Sequence, residues 1–296
     1  MKIIILALRR SGSTIFWQCF REATNARCFD EPFNPKIFQI PQEHSKGNLK
    51  EFIDLLKTEG ELFWQLFDPI YPQEELKKGF TAEQNAYLTK LLSLNEDVVI
   101  DSTRCWNKIS ALGDITDSDT FLIHLHRAPA SWITSHLLPS EEKKYLLLNL
   151  KRKKTFWTRK IDFNRWNMED ILGRELLSPF HSFILKDAQL TEYFYRAPAV
   201  YRLMKFWALV FQEVESTGRK VFGKRFISVH FEDFCIDPIN TLGLIGSKTG
   251  LCFDFKKLPS IRLPSPAFMN SNENWQQAAQ YWELPDDIHY LFRDNV

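Results

Sequence analysis

A cluster of basic and hydroxyl-bearing residues follows directly after an apolar run near the start of the chain. The stretch "IIILALRRSGST" occupies residues 3–14 and leads into a helix-like segment. A strand that passes through a glycine-containing turn into a helix points several backbone N–H groups at one spot, and the helix N-terminus adds about half a positive charge there. Hydroxyls and a permanently charged guanidinium complete a site for a phosphate-type anion. The residues predicted to hold this anion are Arg10, Ser11, Gly12, Ser13 and Thr14.

The turn does not match the nucleotide-binding pattern GxxxxGK[ST]. Ser13 follows Gly12 where that pattern requires a lysine. Without this lysine, and without a clear acidic partner for a metal, hydrolysis of magnesium-bound nucleotide is disfavoured. A P-loop kinase or nucleotide hydrolase is kept as an alternative, and so is a plain strand–turn–helix with surface arginines.

A second arginine stands at the end of a later apolar run. In "FLIHLHRAPASWITSH", residues 121–136, Arg127 follows a predicted strand and Pro129 suits the first turn of a helix. Ser135 lies two turns into that helix, so its hydroxyl can point toward the oxygens that the Arg127 guanidinium binds. The segment predicts a second phosphate site, the alternative being an ordinary surface arginine and serine.

These two segments resemble those of sulfotransferases that use 3′-phosphoadenosine 5′-phosphosulfate (PAPS), in the style of the carbohydrate, tyrosylprotein and bacterial members. "RRSGST" resembles the 5′-phosphosulfate loop with its R-S-G-[ST]-T pattern. Arg127 and Ser135 resemble the 3′-phosphate motif, although Ala128 stands where that family usually has aspartate. "RFISVHFEDFCIDPINTLGLIGSKTGL", residues 225–251, resembles the family's late strand, turn and Asp-Pro helix. The resemblance implies PAPS as the sulfuryl donor, the bisphosphate PAP as product, and no metal.

An acceptor hydroxyl must lose its proton as sulfur is attacked in line, so the site needs a base. The resemblance places a glutamate base in "NARCFDEPFNP", residues 25–35. Glu31 is therefore the predicted catalytic base, with Asp30 as the alternative. Arg10 is assigned to catalysis as well as binding, because electrostatic stabilisation of the departing phosphate supplies much of the rate. The competing interpretation is a solvated turn in which Pro32 forces the preceding residue to be extended.

Other charged residues have less definite roles. "DVVIDSTRCWNK", residues 97–108, contains Arg104 and Lys108, which either steady the leaving phosphate or the acceptor, or are surface charges. Near the C-terminus, Arg262 and Trp275 are loose candidates for the adenine end of the donor, and that part of the site is left unassigned.

The elements that position these residues form an alternating pattern. Short apolar runs followed by helix-like segments are typical of a parallel sheet with helical layers. We therefore predict an α/β, P-loop-like three-layer fold with a central parallel sheet of four or five strands flanked by helices. His124 and His126 lie within one predicted strand and are interpreted as core or sheet-end histidines. The predicted strands cover residues 2–8, 97–101, 120–126 and 225–231.

Several helix ends can be predicted from local signals. Thr81 with Gln84 forms a capping-box pattern, and Asp237 before Pro238 starts a helix that Gly250 ends. A long helix is predicted in "APAVYRLMKFWALVFQEVESTG", ending at its last glycine. The whole chain is predicted to be one domain, residues 1–296, with a helical elaboration at about 140–196, where the basic run "KRKK" is interpreted as a solvated helix face.

Composition excludes some classes of protein. The 296 residues carry a formal net charge of +1, so a broad nucleic-acid surface is not expected. The five cysteines show no metal-ligand spacing, which favours free thiols and the reducing cytoplasm. The apolar run at residues 3–8 is too short to span or insert stably in a membrane, and no signal peptide is expected.

The sequence thus predicts a PAPS-dependent sulfotransferase acting on a hydroxyl of a carbohydrate, lipid or other small molecule. Residues 33–80 and 140–196 are expected to wall the acceptor pocket, because they lie outside the donor motifs. A non-catalytic PAPS-binding protein remains an alternative. The acceptor and the oligomeric state are left open.

Overall fold

The computed structural model describes residues 1–39, 48–139, 168–170, 196–262 and 272–285. The chain divides into two compact units, residues 1–126 with 213–262 and residues 127–212 with 263–296. The predicted single-domain organisation stays a prediction. Among the described helices, none combines the length and apolar composition that crossing a membrane requires.

The first unit is built on a five-stranded sheet in which every pairing is parallel. The strand order is β2-β3-β1-β4-β7, so the strand that precedes the predicted anion turn is central. This confirms the predicted α/β class with a central parallel sheet and flanking helices. The shortest strand, β2, was not among the predicted ones. The strands are β1 (Lys2–Ala7), β2 (Arg27–Asp30), β3 (Val98–Ser102), β4 (Thr120–His126) and β7 (Phe226–His230).

Short helices connect these strands, and the predicted caps are present. The Thr81 hydroxyl accepts from the Gln84 N–H, and the Asp237 carboxylate accepts from the Asn240 N–H. Gly250 ends its helix with a left-handed φ of 81°. The helices of this unit are α1 (Ser13–Ala23), α2 (Lys50–Glu59), α3 (Glu61–Leu66), α4 (Pro72–Glu75), α5 (Ala82–Leu92), α6 (Ile109–Ile115), α9 (Phe231–Ile236) and α10 (Pro238–Thr249), with 3₁₀ turns at Pro35–Gln39, Gly223–Arg225 and Phe255–Lys257.

The central strand β1 and its neighbour β3 are buried, which explains why both are rich in apolar residues. All six residues of β1 and all five of β3 are buried. One core cluster joins β1, α1, β4, β7, α9 and α10. Burial of this cluster fixes α1 against the sheet and thereby orients its N-terminus.

The long helix α8 (Ala199–Phe222) runs through both units and ends four residues later than predicted. Gly218 was predicted to terminate it, but this glycine lies inside the helix. A Cβ at this position would stand 2.3 Å from Cε2 of Phe226, so the glycine allows close packing of the helix on β7. The glycine therefore serves packing and does not stop the helix.

The second unit contains α7 (Pro129–Ser135), the antiparallel pair β5 (Leu137–Pro139) and β6 (Met168–Asp170), the first part of α8, and α11 (Asn272–Tyr281). Aromatic contacts hold it together. Trp132 stacks on Phe206 at 6.2 Å between ring centroids, and the Trp282 indole N–H donates to the Tyr201 carbonyl at 2.7 Å. Apart from β6 and residue 196, the predicted helical elaboration, including "KRKK", lies outside the described residues.

Candidate active site

The turn between β1 and α1 has the geometry of an anion cradle. The Ser11 N–H donates to the Leu8 carbonyl at 3.1 Å, which folds the chain back on itself. Arg10 and Gly12 both adopt left-handed conformations, with φ of 70° and 87°. Gly12 is the N-cap of α1, an eleven-residue helix with no acidic residue in its first turn. Successive backbone N–H groups and the helix N-terminus therefore favour an anion here.

The hydroxyl-bearing residues of the turn differ in exposure. Ser11 and Ser13 are buried at 1% and 7% exposure, whereas Thr14 is exposed. Gly12 is required twice over, because a Cβ there would lie 2.1 Å from Cε2 of Phe231 and its backbone is left-handed. Phe231, the first residue of α9, therefore packs directly against the turn and restricts its movement.

Glu31 follows β2, and its own backbone is also left-handed, with φ of 52°. Its N–H donates to the Asp101 carbonyl at 2.8 Å, continuing the ladder between β2 and β3. Its carboxylate is held by the loop after β3: Oε1 accepts from the Thr103 N–H at 2.7 Å, and Oε2 lies 3.4 Å from Nε of Arg104. The side chain is 18% exposed. The predicted base is therefore a fixed carboxylate, not a solvated turn residue.

Asp30, the alternative base, lies beside a fully buried aspartate. Asp30 and Asp101 are register partners on β2 and β3, and the Asn48 amide donates to Asp30 Oδ2 at 2.6 Å. Burial raises the pKa of Asp30 to about 6, a rise that the Asn48 hydrogen bond opposes and the Glu31 charge reinforces. These carboxyls stand at the same sheet edge as the anion turn.

Asp101 is 0% exposed, and neither of its carboxylate oxygens has a hydrogen-bond partner among the described residues. Burial raises its pKa well above the ordinary value, and the charges of Glu31 and Asp30 raise it further. Asp101 therefore interacts electrostatically with both candidate bases. Asp101 was not among the predicted site residues, although it is a polar residue at the end of an apolar run.

Arg104 and Lys108 have distinct environments. Arg104 Nη1 donates to the Ile70 carbonyl at 3.2 Å and to Glu75 Oε1 at 3.0 Å. The Lys108 ammonium is 1% exposed and donates to three backbone carbonyls at 2.7–2.9 Å, namely those of Glu74, Lys77 and Gly79. An ammonium has three donors, so Lys108 fixes the segment after α4 and is not placed to bind a phosphate.

The second predicted phosphate motif lies in the second unit. Pro129 begins α7 as predicted. The Arg127 Nε donates to the Ser131 hydroxyl at 2.7 Å, and the Ser135 hydroxyl donates to the Trp132 carbonyl at 2.6 Å. That Arg127 and Ser135 bind the same ligand as the anion turn remains a prediction.

The residues proposed for the adenine end remain unassigned. Arg262 is exposed in the first unit, and Trp275 is buried in the second.

Histidines gather on β4 and β7 without forming a metal centre. His124 is 3% exposed, and its Nδ1 lies 2.7 Å from Oε1 of Glu215, as expected of a core histidine with a partner. Burial lowers the pKa of His126 well below the ordinary value, and the neighbouring His124 and His230 add to this effect. Within the described ranges, no group of three or more His, Cys, Asp or Glu side chains is arranged to hold a metal ion.

Comparison with known proteins gives structural similarity only. No protein-family profile matches the chain, and no curated protein matches it. A sulfotransferase from Alicyclobacillus acidocaldarius is similar over 99% of this chain and 96% of its own, with 13% identity and a TM-score of 0.45. The sulfotransferase domain of the Synechococcus PCC 7002 olefin synthase has 14% identity over 99% and 93% of the two chains, with a TM-score of 0.43. A sulfotransferase domain from the curacin biosynthetic pathway has 13% identity over 96% and 97%, with a TM-score of 0.41.

Proposed function

We propose that the protein is a sulfotransferase that moves a sulfuryl group from PAPS to a hydroxyl of a carbohydrate, lipid or other small molecule. The observation that carries this proposal is that the anion turn and Glu31 lie at the same edge of one sheet, after strands that both flank β3. Both follow the carboxyl ends of strands in one parallel sheet, the edge where such sheets bind ligands. A phosphoryl-type donor and a carboxylate base at one edge are what sulfuryl transfer to a hydroxyl requires.

The residues of the turn fit the phosphosulfate end of PAPS. The buried hydroxyls of Ser11 and Ser13 and the left-handed backbone of Arg10 and Gly12 support this assignment, and Gly12 lets the Phe231 ring pack directly against the turn. Arg10 and Thr14 complete the proposed 5′-phosphosulfate contacts. Arg127 and Ser135 are proposed to bind the 3′-phosphate.

The proposed chemistry is one displacement at sulfur. The acceptor oxygen forms a bond to sulfur as the bond from sulfur to the 5′-phosphate oxygen breaks, and the acceptor proton passes to the Glu31 carboxylate. Arg10 and the N-terminus of α1 stabilise the charge that develops on the departing phosphate. PAP and a sulfate ester leave. Thr103 and Arg104 hold the carboxylate in place, which reduces the reorganisation needed for reaction.

Two measurements test the proposal. Calorimetry with PAP in the presence of EDTA should show binding without metal, whereas ATP with magnesium should bind weakly or not at all. Transfer of radiolabelled sulfate from PAPS to a panel of sugars, sterols and phenols should then identify an acceptor. Preferential binding of magnesium-ATP would favour the kinase alternative, and PAP binding with no transfer to any acceptor would favour a non-catalytic protein.

We also propose that this reaction takes place in the cytoplasm. All five cysteines are free thiols, four of them buried and Cys252 exposed. Free thiols are typical of reducing compartments.

A further inference from the structure

Glu75 is a buried carboxylate that no motif indicated. It ends the four-residue helix α4, and its side chain is 3% exposed. Its Oε1 accepts from Arg104 Nη1 at 3.0 Å and from Nη2 of Arg9. A buried carboxylate is costly unless it is paired and hydrogen-bonded. Two guanidinium groups satisfy this requirement here.

The two arginines come from neighbouring parts of the sheet. Arg9 begins the anion turn after β1, and Arg104 lies in the loop after β3, the strand that pairs with β1. Both loops therefore emerge at the same edge. The guanidinium groups are 21% and 12% exposed and would repel each other without a carboxylate between them.

The carboxylate is held in place from the same loop that supplies Arg104. A four-residue helix is not stable by itself. The Lys108 ammonium binds three carbonyls of residues 74–79, and the Asn107 amide donates to the Leu76 carbonyl at 2.5 Å. The backbone that carries Glu75 is thus fixed relative to the sheet edge.

We propose that Glu75 is a positioning residue that gathers Arg9 and Arg104 into one cationic site for the phosphosulfate end of the donor. The inference rests on the proposed function and extends it from the turn itself to the loop after β3. Glu31 lies on the other side of Arg104, with Oε2 3.4 Å from Nε. Glu75, Arg104 and Glu31 therefore form one chain of contacts between the anion site and the proposed base.

Removing the charge of Glu75 should change anion affinity in opposite directions, depending on whether Glu75 positions the two arginines or only repels the anion. Glu75→Gln removes a negative charge, so Coulomb's law alone predicts tighter binding of an anion. If Glu75 positions the two arginines, the same change releases them and weakens binding by about tenfold or more, as for a lost charge-assisted hydrogen bond. The measurement is calorimetry with two probes, PAP and inorganic pyrophosphate. Glu75→Asp keeps the charge but shortens its reach, and it should also weaken binding.

A double-mutant cycle tests whether Glu75 acts through the arginines. In an Arg9→Met, Arg104→Met background, adding Glu75→Gln should cause no further loss of affinity. A merely structural role would instead lower affinity in both backgrounds. The matched control is Glu51→Gln, because Glu51 is 14% exposed and accepts from Nε of Arg21 at 2.8 Å. This control should lower the melting temperature while leaving probe affinity within about twofold.

The outcomes are distinguishable from those of the proposed function. Wild-type protein that binds pyrophosphate but not PAP contradicts the PAPS proposal and still tests Glu75. Equal or tighter binding by Glu75→Gln overturns the positioning role, as does a loss that persists without the arginines. Wild-type protein that binds neither probe overturns both.

Discussion

At the scale of single residues, backbone strain coincides with the proposed chemistry. Among the described non-glycine residues, positive φ occurs at Arg10, Glu31 and Glu283. The left-handed conformation costs a non-glycine residue on the order of 1–3 kcal/mol, and it persists only where the surroundings enforce it. Two of the three residues are those assigned to catalysis from sequence. Strain at both supports a functional reason for their placement.

Glu31→Gln should separate catalysis from binding. The amide keeps the shape of the side chain but cannot accept the acceptor proton, so sulfuryl transfer should fall on the order of a hundredfold or more. Affinity for PAP should change less than about threefold, because the carboxylate is proposed to contact the acceptor and not the donor. Steady-state kinetics and calorimetry measure the two effects. Near-normal turnover would move the base to Asp30.

Gly12→Ala should damage both the fold and the anion site. A Cβ at Gly12 meets the Phe231 ring at 2.1 Å and must sit on a backbone with φ of 87°. The left-handed conformation and the overpacking together predict a loss of roughly 2–4 kcal/mol in unfolding free energy. Urea denaturation measures this loss, and PAP affinity should fall in parallel.

Gly250→Ala is the matched control for this substitution. Its φ is 81°, and a Cβ there would meet nothing within 4 Å. The unfolding free energy of this variant should fall by only about 1–2 kcal/mol, which is the cost of placing alanine in a left-handed conformation. Combining Gly12→Ala with Phe231→Leu should recover part of the difference. Equal losses at the two glycines would show that the contact with α9 is not tight.

At the scale of secondary-structure elements, two helical glycines should respond to alanine with opposite sign. Alanine normally stabilises a helix interior by about 1 kcal/mol relative to glycine. Gly243→Ala in α10 should show this gain, since the nearest atom to its Cβ is 4.0 Å away. Gly218→Ala in α8 should lose roughly 1–2 kcal/mol instead, because its Cβ would stand 2.3 Å from the Phe226 ring. Thermal or urea unfolding of the two variants measures the change in stability of each. A Gly218→Ala variant that is more stable than wild type would contradict the close packing of α8 on β7.

The elements that could be predicted are those whose signals are local. β1, β3, β4 and β7 are each rich in Ile, Val, Leu or Phe, and β1 and β3 are buried along their whole length in a parallel sheet. The cap at Thr81 was also predicted correctly, because a capping box lies within four residues. β2 was missed because its four residues, "RCFD", include only two buried ones. The predicted end of α8 was wrong because Gly218 packs against β7, a contact that the local sequence does not show.

The residues of the candidate site also differ in whether the local sequence indicates them. The anion turn could be proposed from sequence because its residues are adjacent in the chain, and Glu31 could be proposed because its segment resembles that of sulfotransferases with a glutamate base. Glu75 could not, because "PQEELKK" is typical of a solvated segment. Its burial depends on Arg9, 66 residues earlier, and Arg104, 29 residues later. Such long-range ion pairs leave no local pattern.

At the scale of the whole molecule, two groups should make stability depend on pH in opposite directions. The pKa of Asp30 is raised to about 6 in the folded protein. Its contribution to the free energy of unfolding is therefore fully present below about pH 4 and is lost as pH rises through 6. The pKa of His126 is lowered by burial, so the unfolded state takes up the proton more readily as pH falls below about 6.5. The first effect favours acid conditions and the second opposes them.

Asp101→Asn should isolate the carboxyl contribution to this dependence. Asp101 is fully buried and its pKa is raised, so its ionised form is unfavourable in the native protein. The native state is therefore destabilised at neutral and alkaline pH, where the same carboxyl is ionised in the unfolded chain. The carboxamide is neutral at every pH and can donate an N–H toward Asp30. The variant should therefore be more stable than wild type by on the order of 1–3 kcal/mol at pH 7–8, and this advantage should vanish near pH 4. Urea denaturation from pH 4 to 8 measures it, with exposed Asp119→Asn as the control that changes stability by less than about 0.5 kcal/mol throughout. A variant that is less stable at pH 8 would show that Asp101 is ionised and stabilised in the native protein.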